Sequence, residues 1–271
     1  VSELCRRLDE GIRRFKSQPL DGIDAPFLMV DATYFKAREN HRIVSKAFMV
    51  ALAIKSDGHR EVVGFDVYDA EDDYSWKRFL EDLKQRGLQT PHVMISDAHR
   101  SIRKAMAEVF PQTAWQRCQV HFMRNILNET PPKYKEGLKV ELREMFNAGD
   151  IKEARKRRDS IIDDYGPVAE KAMKILDEGF EDSMTLINMP QSISRILRTT
   201  NILERLNREL KRRSDVIQVF PNGASVLRLM GAVTIEYSDR QSTLQRIFAE
   251  RTFKEIREKL SGEYRLTAQR Q

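Results

Sequence analysis

With 271 residues, 41% hydrophobic and 32% charged, the chain is long enough to bury a substantial core and has a globular composition. No apolar run approaches the ~20 residues of a membrane-spanning helix, the first residues lack a secretory signal's apolar stretch, and two cysteines, Cys5 and Cys118, are too few for a disulfide framework. Lysine and arginine outnumber aspartate and glutamate, 47 against 41, and a pI near 9.3 favours an anionic partner, nucleic acid first.

The chain opens on Val1 rather than Met, so it reads as a fragment whose upstream part is missing. Leu4, Leu8, Ile12 and Phe15 recur at helical spacing and predict an amphipathic helix over 1–20, broken at Pro19 and Asp21-Gly22. An apolar run from Phe27 to Phe35 predicts a buried strand. A second, Ser45 to Lys55, ends at the hairpin signal Asp57-Gly58, and a third, Glu61 to Tyr68, completes an antiparallel meander. Trp76, Phe79, Leu80 and Leu83 predict a helix over 73–86 that ends at Gly87. His92 to Asp97 reads as a short strand, Ile102, Met106 and Val109 as a helix, and Ala114 to Phe122 as a fifth strand. From 123 to 199 the patterning is helical, interrupted at Pro131-Pro132 and Pro190. A helix starts near Asn201, and helical patterning resumes over 223–260.

Three acids stand out. Asp31 lies inside an apolar strand, where a carboxylate is costly to bury unless paired or bound to a cation. Asp97 ends another strand where it feeds a helix, the edge at which open α/β sheets bind ligands; it serves equally as the N-cap of a helix beginning near Ala98. Two such acids supply hard oxygen donors suited to Mg²⁺ or Mn²⁺. Glu204 heads a basic stripe with Arg208, Lys211 and Arg212, opposite Leu203, Leu206 and Leu210. Its spacing from Asn201 also fits a capping box.

The sequence resembles the bacterial insertion-sequence transposases related to plant Mutator elements. The resemblance rests on Val30-Asp31-Ala32-Thr33-Tyr34-Phe35-Lys36-Ala37-Arg38, on Ser75-Trp76 with Phe79-Leu80, Leu83 and Arg86-Gly87-Leu88, and on Ser96-Asp97-Ala98-His99. It continues through Gln116-Arg117-Cys118-Gln119-Val120-His121-Phe122-Met123-Arg124-Asn125, then Thr199 to Arg208 with Phe220-Pro221. It covers about residues 1 to 255, and these motifs are specific as an ordered set.

The resemblance implies an α/β, ribonuclease-H-like fold: a mixed five-stranded sheet with flanking helices and an all-helical insertion. The expected division is an N-terminal helix over 1–22, the first part of the core over 23–125, the insertion over 126–198, the last core helices over 199–260 and a polar tail over 261–271. It implies an Asp-Asp-Glu transposase that cuts transposon ends and transfers the 3′-OH strand into target DNA. Asp31, Asp97 and Glu204 are then the catalytic residues, holding two Mg²⁺ or Mn²⁺ ions. The alternatives are a ribonuclease-H-like nuclease or resolvase without strand transfer, and a domesticated DNA-binding regulator.

Cys118 and His121 fall on the family's Cys-x-x-His motif. On a strand they point to opposite faces, so Cys118 reads as core and His121 as a polar group near the metal pocket or a hydrogen-bonded strand-end histidine. Lys36, Arg38, Arg124, Asn125, Arg205, Asn207, Arg208, Lys211 and Arg212 are candidate DNA contacts; the alternative is a solvated charged face. The implied partners are DNA and further copies of the chain, as a homodimer or larger assembly. The implied location is a bacterial cytoplasm, on the nucleoid and not in a membrane.

Overall fold

The computed structural model describes residues 3–242, 246–249 and 252–253. Most of the helical patterning expected over 243–260, and the polar tail over 261–271, lies outside the described residues. The strands are β1 (Phe27–Glu39), β2 (Arg42–Ile54), β3 (Arg60–Tyr68), β4 (Val93–Ser96) and β5 (Ala114–Arg117). The helices are α1 (Glu3–Ser17), α2 (Asp73–Gln85), α3 (Arg100–Val109), α4 (Gln119–Asn128) and α5 (Lys135–Phe146). They continue through α6 (Ile151–Tyr165), α7 (Glu170–Ser183), α8 (Gln191–Leu197), α9 (Asn201–Ser214) and α10 (Gly223–Ser242). The sheet order β3-β2-β1-β4-β5, with an antiparallel β1–β2–β3 meander in a mixed sheet flanked by helices, is the ribonuclease-H-like α/β arrangement that the resemblance implies. Among the described residues no helix is long and apolar enough to cross a membrane.

Strands β1 and β2 run further than their apolar cores predict. They meet in a two-residue turn at Asn40-His41, both with positive φ (46° and 63°), the geometry that matches strand twist in tight hairpins. Residues 36–44 hide this extension, because most of them are polar and exposed, among them Lys36, Arg38, Asn40, His41 and Arg42. At the β2–β3 turn Gly58 adopts φ +86°, as the Asp57-Gly58 signal requires.

The chain divides into two compact units. One comprises Val1–Met94, His99–Thr113 and Asn201–Gln271, the other Ile95–Ala98 and Ala114–Thr200. In the first, the meander is covered on both faces. Phe65 stacks on Phe15 of α1 (4.8 Å between ring centroids) and on Phe48 (5.8 Å), while α10 brings Gly231 against the same ring. The neighbouring Gly64 points the other way, toward Leu83 and Phe79 of α2. Helix α2 is capped by Asp72, whose carboxylate accepts the Ser75 N–H at 2.8 Å.

The second unit has its own core: Phe122 and Ile126 of α4 pack with Leu138, Leu142 and Phe146 of α5 and Leu176 and Phe180 of α7. One sequence expectation, the strand from Ala114 to Phe122, fails in part. The fifth strand stops at Arg117, and the chain through Phe122 is helical. Cys118, Val120 and Phe122 alternate as in a strand, but Cys118, Phe122 and Ile126 also repeat at helical spacing. Tertiary contacts choose the helix: the carboxamides of Gln116 and Gln119 both donate to the Ser183 carbonyl at 2.8 Å, and the Arg117 guanidinium lies 4.2 Å from the Phe122 ring centroid.

Candidate active site

Asp31 sits in mid-β1, paired across the sheet with Val50, and is half-buried. Strand alternation puts its side chain on the face of Thr33 and Phe35, the face that α9 crosses. Its Oδ1 accepts the Ala32 N–H at 3.0 Å, and its Oδ2 accepts the Asn207 side-chain amide at 2.8 Å. One turn on, the Lys211 ammonium donates to the Tyr34 carbonyl and rests 4.7 Å from the Phe35 ring centroid. Burial pulls the Lys211 pKa down, partly countered by Asp215. Beyond the helix, Phe220 exchanges backbone hydrogen bonds with Lys36 and Arg38 at 2.8 and 2.9 Å. Helix α9 is thus fastened along β1 from residue 31 to residue 35, and the segment after it continues to residue 38.

This fastening locates Glu204. Residues three apart on a helix are neighbours, with Cβ atoms about 5–6 Å apart, and Glu204 precedes Asn207 by one turn. The half-buried Glu204 therefore lies on the stripe of α9 that meets Asp31. Buried Ile202, Leu203, Leu206 and Leu210 hold the helix to the core. Helix α9 begins at Asn201, with Glu204 in its first turn. Asp97 is not the N-cap of α3, which starts at Arg100 with His99 in the cap position. Asp97 instead follows β4 directly and is half-buried. Among the described residues no group of three or more His, Cys, Asp or Glu stands gathered as a cation cage.

Cys118 and His121 share one side of the first turn of α4, because residue 118 caps the helix and residue 121 is its third residue. The expectation that they point to opposite faces of a strand is corrected accordingly. The buried Cys118 donates its backbone N–H to the Ser96 carbonyl at 2.7 Å. Its Sγ accepts from both the N–H and the hydroxyl of Thr200, each at 3.4 Å. Burial alone pushes the thiol pKa up; the hydrogen bond and charge of His121, with Thr200, outweigh it and leave the thiol below its ordinary value.

The basic candidates divide by position. Lys36 and Arg38 are exposed on β1, but alternation sets them on the face opposite Asp31. Arg205 and Arg208 are exposed on α9. Arg212 is committed to Glu209 at 2.7 Å; with Arg213, it holds that carboxyl down at about 2. Arg124 and Asn125 are exposed on α4. Sequence reasoning grouped Asn207 with DNA contacts and missed its bond to Asp31. The available signal was an amide one turn after Glu204 on the same stripe. It also missed Ser96 and Thr200, which carry no local pattern.

Comparison with known proteins adds an independent line. Residues 1–243 match the family model described as "Transposase, Mutator family". The chain is 39% identical over 241 residues to the transposase for insertion sequence element IS256 in transposon Tn4001 of Staphylococcus aureus, covering 88% of this chain and 62% of that protein. It is 35% identical over 236 residues to the transposase for ISRM5 of Rhizobium meliloti (87% and 59%). It is 34% identical over 239 residues to the transposase for IS1081 of Mycobacterium tuberculosis (88% and 58%). The chain thus spans about three fifths of the length of these relatives. A match over most of the chain, joined to a ribonuclease-H-like sheet, shows the family: this chain belongs to the Mutator family of transposases.

Proposed function

We propose that the chain is the catalytic part of a DNA transposase in which Asp31, Asp97 and Glu204 are oxygen ligands for two Mg²⁺ or Mn²⁺ ions. The reaction is hydrolysis of a phosphodiester at each transposon end, followed by attack of the freed 3′-OH on target DNA. The observation that carries this reading is the Asn207–Asp31 hydrogen bond, which ranges the Glu204 stripe of α9 along the strand bearing Asp31. Asp97 joins the set because it ends β4, the strand beside β1 in the sheet order, and is not used as a helix cap.

The donor set suits the ions: carboxylate oxygens are the hard ligands such cations take. Asp31 accepts from Ala32 and Asn207, and each carboxylate oxygen can take more than one partner. When bound, the ions supply an activated water and offset charge on the phosphodiester. Asn207 fixes the rotamer of Asp31. Arg205 and Arg208 neutralise phosphates on the strand being cut, and copies of the chain assemble as a homodimer or larger complex on the DNA.

The test uses a supercoiled plasmid carrying the element's own ends, with Mn²⁺. Asp31→Ala and Glu204→Gln are expected to abolish cleavage while leaving DNA binding in place. Wild-type cleavage by Asp31→Ala overturns the assignment. Supplying pre-cut 3′-OH ends then separates transposase from nuclease: joined products are expected, and cleavage without joining identifies a nuclease.

A further inference from the structure

The second compact unit holds a cavity of about 270 Å³ that the chemistry above leaves unused. Its lining is mixed: Phe146, Met184, Leu186 and Met189 are apolar, and Gln191 and Arg198 are among its polar residues. Arg198 is the telling residue. Its guanidinium is half-buried and donates to the Phe146 carbonyl at 2.5 Å and to Asn147 Oδ1 at 2.9 Å, both uncharged acceptors. The charge that bears on it is another cation, Arg195; burial, then Arg195, push its pKa down. A half-buried cation, beside a like charge and with no carboxylate partner among the described residues, is costly. It becomes favourable when an anion arrives, and two hydrogen bonds leave three of its five donors for one.

The volume falls just below the ~300 Å³ at which small-molecule pockets begin, so it fits one compact group. Methionine walls suit a flat aromatic ring, and an exposed carboxamide at the rim can pair with a base edge.

We propose that this cavity binds a single nucleotide, its phosphate on Arg198 and its base between Met184, Leu186 and Met189. A free nucleotide and an unpaired nucleotide of a DNA strand share this chemistry. The proposal rests on the cavity and Arg198, not on the carboxylates, so the test is made without metal, where cleavage plays no part.

Equilibrium dialysis of labelled dAMP against the whole 271-residue chain in EDTA is expected to show saturable one-to-one binding. Arg198→Gln, which removes the charge and keeps a polar side chain, is expected to weaken it by about tenfold or more. Gln191→Trp, which closes the rim and leaves Arg198 intact, is expected to do the same. It guards against a folding defect in the first variant. A duplex with one unpaired adenine that displaces dAMP, where a fully paired duplex does not, identifies DNA as the source; displacement by neither identifies the free nucleotide. Absence of saturable dAMP binding, binding that both variants leave unchanged, or equal displacement by both duplexes overturns the proposal.

Discussion

Cys118 shows how much a single side chain can join. Its backbone holds the residue before Asp97, its sulfur holds the residue before α9, and His121 reaches it from within α4. A thiol at a helix N-terminus, next to an imidazole, favours its ionised form. The folded state therefore gives up the thiol proton more readily than the unfolded chain. That contribution to stability is fully present above the unfolded thiol's value of 9.0 and is lost as pH falls through the lower folded value. The difference in urea midpoint between the parent chain and Cys118→Ser should therefore widen from near-neutral pH up to about 9. A difference that stays flat or narrows contradicts a thiol that ionises more readily in the folded state. None of this was legible from the Cys-x-x-His spacing, because the consequence of that spacing reverses between strand and helix.

At the scale of elements, the meander and α2 were readable because their apolar residues admit one periodicity. The β5–α4 junction admitted two, and Ser183, on another helix, decided it through Gln116 and Gln119. The packing of α2 on β3 is similarly specific. The β2–β3 pairing shifts register between Ala51 and Leu52, and Gly64, the partner of Ala51, has its missing Cβ 2.5 Å from Leu83 Cδ2. Leu83 is fully buried and has nowhere to retreat. Gly64→Ala should therefore lower stability by about 1–3 kcal/mol, the usual cost of overpacking a filled core, read as a lower urea midpoint with unchanged slope. An unchanged or higher midpoint means that α2 can slide, and that this contact does not set its position. The start of α9 was legible too: the sequence sets it near Asn201, and the helix begins there.

Across the whole molecule, the net charge of +6 sets the scale of any interaction with a polyanion. If Arg205 and Arg208 meet phosphates as proposed, replacing both with Gln should reduce the slope of log binding constant against log salt by about 0.9 for each phosphate no longer neutralised. Titrations of a labelled duplex at several salt concentrations measure this; an unchanged slope removes both residues from the interface. Sequence alone determined the strand meander, the helical character of residues 123–199 and the ordered motifs that mark the family, because side-chain period and motif spacing are local. Only the tertiary structure decided that Asn207 holds Asp31, 176 residues away, that Cys118 bridges Ser96 and Thr200, and that Arg198 borders a cavity. Those contacts arise from packing between distant segments, and no local periodicity encodes which side chains will meet.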